Sequence, residues 1–244
     1  MPKRLKFFLS HLFISILVVL MVMGLVFFVW YPSPLASAVG VTHIFLMMLA
    51  IDVIVGPVLG WLVYKEGKKT LKFDLSVIIL IQIAALCFGI FSIEQGRPAW
   101  LVYNVDRFEL VRKNEIIKER LEQVKSQFKQ PSWLQPQYVA VEFAQDKLQR
   151  ENEMFAEVLG GISIAQRPER YVDFTQAIPQ IKQRAKSLQE LEQYNDQKLV
   201  QQILEKYPEA TGYVPLKANA VDMTVLVNKE TAEVVKIVDL RPWN

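Results

Sequence analysis

Three long apolar runs without alternation open the chain. Residues 7–30 carry no charge, residues 39–64 are broken only by Asp52, and residues 75–93 form a third run. A helix needs about 20 such residues to cross a hydrocarbon core of roughly 30 Å, so each run is long enough to span a bilayer. The pattern then changes. Residues 100–110 read as one strand by their β-branched and aromatic content. Ile117, Leu121, Val124 and Phe128 recur at helical spacing among charges, which predicts an amphipathic helix over residues 112–128. Residues 138–143 read as a second strand. A helix over 146–159 starts on an Asp N-cap and stops at Gly160-Gly161. Further helices are expected over 178–191 and 196–207, and strands over 221–227 and 234–240 flank the turn "NKETAE". The expected architecture is a three-span transmembrane region, residues 1–94, followed by an α+β domain, residues 95–244, with a mainly antiparallel sheet.

Charge orients this arrangement. The formal net charge is +3, and the excess lies in the first 94 residues, where seven Lys/Arg face four Asp/Glu. Lys3, Arg4 and Lys6 precede the first run, Lys65, Lys68, Lys69 and Lys72 fill the loop between the second and third, and "YPSPLASA" between the first two carries none. The positive-inside rule places the N-terminus in the cytoplasm and the C-terminal half across the membrane, against the single violation of Arg97. Ala36-Ser37-Ala38 looks like a signal-peptide cleavage site, but the preceding run far exceeds an h-region of about 7–15 residues and ends on Trp30 and Tyr31, so it reads as an uncleaved anchor. No pilin processing site appears near residues 1–30.

The remaining 150 residues balance 21 Lys/Arg against 21 Asp/Glu and contain neither Cys nor His. A neutral portion without a basic run offers no electrostatic footprint for nucleic acid. The missing side chains remove the usual zinc, thiol and Ser-His-Asp chemistries, and no Gly-rich phosphate loop is present. The expectation is a protein with no enzymatic turnover, no metal and no cofactor.

The candidate residues are therefore those that are costly where they stand. Asp52 sits near the middle of the second run, where a carboxylate costs about 2.5–3.5 kcal/mol on insertion scales. Gln82 lies at similar depth in the third run and is its natural partner. Gly56 and Gly60 follow Asp52 at four-residue intervals, so all three share one stripe on which another helix can approach closely. Pro57 frees a carbonyl near Val53 and kinks the helix. The third run carries a matching stripe of Gln82, Ala85, Gly89 and Ser92. The two stripes either pack on each other or leave a groove for a further helix. Asp74 caps the third span at the positive end of its dipole. Arg97 is expected among lipid headgroups, with Pro98 ending the helix. Asp106 and Arg107, adjacent on one strand, are expected on opposite faces and hence unpaired.

Four segments in order, "DVIVGPVLGWLVY" (52–64), "KKTLKFDL" (68–75), "IQIAALCFGIFS" (81–92) and "GRPAWLVYNVDRFELV" (96–111), resemble the type IV pilin accessory proteins of the TfpX/TfpZ family, as does the ending "VNKETAEVVKIVDLRPW". One departure is Cys87-Phe88, where an aromatic pair is expected. The resemblance implies a multi-pass inner-membrane factor of a Gram-negative bacterium with a periplasmic C-terminal domain. Its implied partners are the transmembrane helix and periplasmic head of a major type IV pilin, with inner-membrane pilus assembly proteins as further candidates. It implies a chaperone-like role, stabilising or selecting the pilin for pilus assembly. The partner-binding residues expected on that view are Asp52, Gly56, Pro57, Gly60, Gln82, Arg97, Asp106 and Arg107. Two alternatives stand beside it. One is a membrane-anchored sensory or ligand-binding protein, which would lack a cytoplasmic output domain. The other is a membrane enzyme using Asp52 or Asp74, which would lack a second catalytic group at matching depth.

Overall fold

The computed structural model describes residues 1–243 and separates into two compact units. The first holds residues 1–32 and 41–96, and the second holds residues 33–40 and, as far as they are described, those from 97 onward.

The first unit is three helices: α1 (Lys3–Leu25), continued by a wider π-helical turn over Val26–Trp30, α3 (Val41–Val63) and α4 (Leu71–Gln95). All three are long and apolar enough to cross a membrane. Helix α3 is the shared element, packing on both α1 and α4. Aromatic contacts fasten both ends of α1 to α3. Phe27 meets Phe45 edge-to-face at 5.5 Å, and the Arg4 guanidinium sits 4.2 Å from the Trp61 ring centroid. Tyr31 donates to the carbonyl of Ile93 at 2.7 Å, tying the end of α1 to that of α4. The outer surfaces stay apolar and open, with Phe13, Met21, Phe73 and Phe88 largely exposed. Side chains of this kind turned outward give the bundle an apolar outer surface, which water solvates poorly.

The second unit is an α+β fold around a seven-stranded sheet of order β4-β3-β1-β2-β5-β6-β7. The strands are β1 (Pro98–Asn104), β2 (Arg107–Arg112), β3 (Gln137–Val141), β4 (Tyr171–Val172), β5 (Gly212–Lys217), β6 (Met223–Val227) and β7 (Val234–Val238). The sheet is mixed, which corrects the expectation of a mainly antiparallel one. β1 runs parallel to β3 and β2 parallel to β5, because long connections rather than hairpins join those central strands. Both faces of β1 are buried. Leu101 and Tyr103 join one core with Phe108, Leu216 and Val225, while Trp100 and Val102 join another with Phe128, Val139 and Tyr171.

Several elements differ from their sequence reading. The single strand expected over 100–110 is a hairpin, β1 to β2, which turns at Val105 with φ of 58°. A β-branched residue in the left-handed region gives no turn signal in sequence. The helix expected over 112–128 does not form. Its backbone donors are taken elsewhere, Lys113 N–H by the Arg97 carbonyl and Ile117 N–H by that of Gln166, so Val124 and Phe128 reach the Trp100 core from irregular chain. Strand β5 was not expected, since Pro215 interrupts it. The helix expected over 178–191 stops as α6 (Ile178–Arg184), because Lys186 exchanges two backbone hydrogen bonds with Tyr213 at 2.8 and 3.1 Å. Helix α5 (Lys147–Gly160) stands as read, capped by Asp146 and ended by Gly161 at φ of 65°. Helix α7 (Gln197–Leu204) is capped by Asp196.

Residues 33–40, expected as a loop of the membrane region, fold into the second unit. They form the short helix α2 (Leu35–Val39), whose Leu35 and Ala38 enter the sheet core. The Ala38 carbonyl accepts from the N–H groups of Ala220 and Val221 at 2.9 and 3.2 Å. In Ala36-Ser37-Ala38, which resembles a cleavage site, the two alanines are thus buried in the fold and only Ser37 between them is exposed.

Candidate functional site

Within the helical unit a cavity of about 290 Å³ is bounded by α1 and α4 and touches α3 at Asp52. Its walls are apolar, with Ile14 and Val18 from α1 and Ile79 and Ile83 from α4. Its polar lining is a small network centred on Gln82. The Gln82 amide donates to the Asp52 backbone carbonyl at 2.8 Å and to Ser15 Oγ at 3.2 Å, and its oxygen pairs with His11 Nε2 at 2.9 Å. His11 and Ser15 are one turn apart on α1, so both reach the same glutamine.

Two polar atoms of the residues around this cavity have no hydrogen-bond partner. His11 Nδ1 and Asp52 Oδ2 are buried and make no hydrogen bond. Gln82 is thus paired with Asp52, as its depth suggested, but through the backbone, and the carboxylate is left over. Unsatisfied polar atoms in an apolar setting are costly and favour whatever supplies a hydrogen bond.

The glycines of the stripe have a different place. A β-carbon on Gly56 would overlap the Gln82 carboxamide, and one on Gly60 would lie 2.8 Å from Phe7. Gly56 and Gly60 are buried with Pro57, and their close approach is to α4 and α1 of the same bundle. On α4, Gly89 faces Met48 of α3 in the same way. Of the two arrangements the stripes allow, the structure shows α3 and α4 packed on each other. The groove that is left lies beside the glycines, at Asp52 and Gln82. His11 and Ser15 were not singled out in the sequence, although their spacing inside an apolar run was visible there. Asp74, in the first turn of α4, is held by Thr70 Oγ1 at 3.0 Å and Lys68 Nζ at 2.6 Å.

The other expected partner-binding residues belong to the second unit. Arg97 is 1 % exposed, and its guanidinium donates to the Ser132 carbonyl at 2.6 Å. It is a buried strut of the α+β fold rather than the headgroup contact expected from its position. Asp106 and Arg107 sit at the β1–β2 turn, where the strand alternation has ended, so they do pair, at 3.7 Å. That corrects the expectation of opposite faces. Arg107 also reaches Glu109 at 3.4 Å, and Glu109 accepts from Asn104 at 2.9 Å. Asp106 and Arg107 line an open groove of about 580 Å³, with Phe143, Arg150, Met154 and Glu157 opposite. Among the described residues no three His, Cys, Asp or Glu side chains converge as a metal ion would require.

A family model described as fimbrial assembly protein FimB matches residues 1–40. Three proteins of Dichelobacter nodosus are similar to this chain, two of them along most of it. The fimbrial assembly protein of serogroup I is 28% identical over 228 residues, 90% of this chain and 88% of that protein. That of serogroup E1 is 29% identical over the same shares. That of serogroups C1 and C2 is 33% identical over 115 residues, 46% of this chain and 88% of that protein. No solved structure matches.

Proposed function

The chain belongs to the fimbrial assembly protein family, and on that premise we propose that it is an inner-membrane accessory factor that stabilises or selects a type IV major pilin before its assembly. The resemblance to the TfpX/TfpZ pilin accessory proteins supports this finer reading. A fimbrial subunit held in a membrane by one apolar helix needs a partner with an intramembrane contact and a contact for its head. The chain has three helices of membrane-crossing length and a separate α+β unit with an open groove.

The observation that carries the proposal is the cavity between α1 and α4. Its walls are apolar, as a lipid-facing helix surface would require, and Asp52 and His11 leave one polar atom each without a partner. A helix laid between α1 and α4 would close the cavity over the Gln82 network, where an interhelical polar contact is worth about 1–2 kcal/mol in model membranes. Gly56, Pro57 and Gly60 hold α3 close enough to α1 and α4 to build that cavity. Asp106 and Arg107 offer the head a paired charge at the rim of the second groove.

The test is site-specific photocrosslinking from Ile83 on the cavity wall and, as a control, from Phe73 on the outer surface of α4. The fimbrial subunit should crosslink from position 83 and not from 73. Crosslinks to lipid alone from both positions would reject the proposal.

A further inference from the structure

The loop between Phe128 and β3 holds an aromatic and an aliphatic side chain outward from a braced frame. Trp133 and Leu134 are 57% and 56% exposed. Neither end of the loop is loose. Phe128 packs edge-to-face on Trp100, and Gln137 opens β3 opposite that same Trp100. Inside the loop the Ser132 N–H donates to Gln137 Oε1 at 3.0 Å, and the Leu134 N–H donates to Ser132 Oγ at 3.2 Å. Pro131 and Pro136 restrict the backbone on either side. Single apolar residues on a surface are ordinary, so the place and the charge of this pair decide what it meets.

Arg97 fixes the place. Its buried guanidinium donates to the Ser132 carbonyl at 2.6 Å, one residue before Trp133. Arg97 is two residues past Gln95, the last residue of α4. Two residues of chain span about 7 Å at most, so this tether holds whatever the arrangement of the two units. The apolar run of α4 ends at Ile93, and Glu94 and Gln95 follow. If α4 crosses a bilayer, its end therefore lies at headgroup level. Trp133 is then one arginine side chain away from the layer where Trp rings concentrate, with an apolar body for acyl chains and an N–H for the wet side. Charge points the same way. Between Glu122 and Glu142 the chain carries Lys125 and Lys129, both exposed, and no Asp or Glu. Residues 95–244 balance 21 Lys/Arg against 21 Asp/Glu, so this local excess is a departure. Two lysines beside an apolar pair complement anionic headgroups.

We propose that this loop is a membrane-interface anchor, which sets Trp133 and Leu134 among the headgroups of an anionic bilayer with Lys125 and Lys129 against the phosphates. Arg97 is its positioning residue: it does not touch lipid, but it holds the loop at the exit of α4. The anchor rests on the reading that α4 crosses a membrane. It gives the α+β unit a second hold on the bilayer besides its covalent junctions, and so restricts how the unit is presented to a fimbrial subunit.

The experiment labels single cysteines of the full-length chain with a fluorophore. The chain is reconstituted into vesicles of phosphatidylglycerol or phosphatidylcholine containing lipid brominated either near the headgroup or deep in the acyl chain. Cys87, exposed on α4 six residues before Ile93, is the reference position. Gln135→Cys in a Cys87→Ser background is the test position, which keeps Trp133 and Leu134 in place. The label at 135 should be quenched several-fold more by the shallow bromine than by the deep one, and that at Cys87 more by the deep one. Trp133→Ser with Leu134→Ser should reduce the shallow quenching several-fold in both lipids. Lys125→Glu with Lys129→Glu should reduce it in phosphatidylglycerol and leave it unchanged in phosphatidylcholine. A label at 135 that only aqueous iodide reaches, beside a lipid-quenched Cys87, overturns the proposal and leaves the membrane-spanning reading intact. A Cys87 label that no lipid quenches overturns that reading, and the anchor with it. Shallow quenching indifferent to both pairs of substitutions overturns the assignment of these residues. So does capture of the fimbrial subunit, in place of lipid, by a photoreactive residue at 135 in native membranes.

Discussion

Gly56 lies flush against the side chain of Gln82, so that a β-carbon on α3 at that point would occupy the space of the carboxamide on α4. The same carboxamide links His11, Ser15 and the Asp52 carbonyl. The absence of a side chain at 56 and the length of the side chain at 82 are therefore one feature, and it builds the polar lining of the cavity.

Gly56→Ala should destabilise the bundle by about 1–3 kcal/mol, the usual cost of overpacking a fitted contact. Gln82→Ala should also destabilise it, by leaving His11 Nε2 and Ser15 without their partner. The double variant should lose less than the sum of the two, because truncating Gln82 makes room for the new methyl group. Thermal midpoints in one detergent measure all three. Strict additivity would show that the two residues do not meet.

The extent to which this arrangement was legible in the sequence differs between the units. Three helices, the cost of Asp52 and the pairing of its depth with Gln82 were readable, because long apolar runs tolerate few polar residues and each stands out. That the Gly56 and Gly60 stripe would be filled by this chain's own Gln82 and Phe7 was not readable, since either of two packings satisfies a small-residue stripe. In the α+β unit the capped α5 was legible from Asp146 and Gly160-Gly161, where local chemistry decides the structure. Long-range backbone bonds decided the rest. Lys113 and Ile117 give their N–H groups to Arg97 and Gln166, which removes a helix that periodicity favoured. Val105 turns the β1–β2 hairpin without a glycine.

Glu153 is the polar anchor of α5, and its side chain is 7% exposed between the guanidinium of Arg170 at 2.7 Å and that of Arg120 at 3.5 Å. Removing one member of a buried ion pair leaves the others desolvated without compensation, which costs about 3–5 kcal/mol. Glu153→Ala should lower the stability of the chain by that order and raise protease cleavage around α5. Glu153→Leu combined with Arg170→Met should recover most of the loss. Equal loss in both variants would mean that apolar volume cannot replace the ion pairs with Arg170 and Arg120, and that the polar network itself is what Glu153 supplies.

Buried tyrosines set an alkaline limit. Burial pushes the Tyr103, Tyr138 and Tyr213 hydroxyls up to about 12, and Tyr171 well above its usual value. A group with a raised folded value binds its proton more tightly in the folded state. Its stabilisation is complete below about 10, the unfolded value, and is lost as pH rises toward the folded one. The α+β unit should therefore unfold cooperatively between about pH 10 and 12, with tyrosinate absorbance rising in the same step as the loss of circular dichroism. Absorbance that rises well before the structural change would show these hydroxyls to be solvated.

The orientation of the chain is the remaining expectation on which the proposed role depends. Lys65, Lys68, Lys69 and Lys72 lie between α3 and α4, and Lys3, Arg4 and Lys6 lie before or at the start of α1. Positive residues in short loops favour the cytoplasmic side, so an odd number of crossings would put the α+β unit in the periplasm. A reporter active only in the periplasm, fused after Asn244, should be active, and one active only in the cytoplasm should be silent. Removing the bias is the sharper arm. Replacing the four loop lysines with glutamine while adding lysines to the uncharged segment around Ser33 should lower the periplasmic signal, because the sign of the loop asymmetry is then reversed. A cytoplasmic signal from the unaltered chain would put the α+β unit on the wrong side of the membrane to meet the head of a fimbrial subunit. The proposed function would then fall with it, whereas the packing of Gln82 against Gly56 would stand.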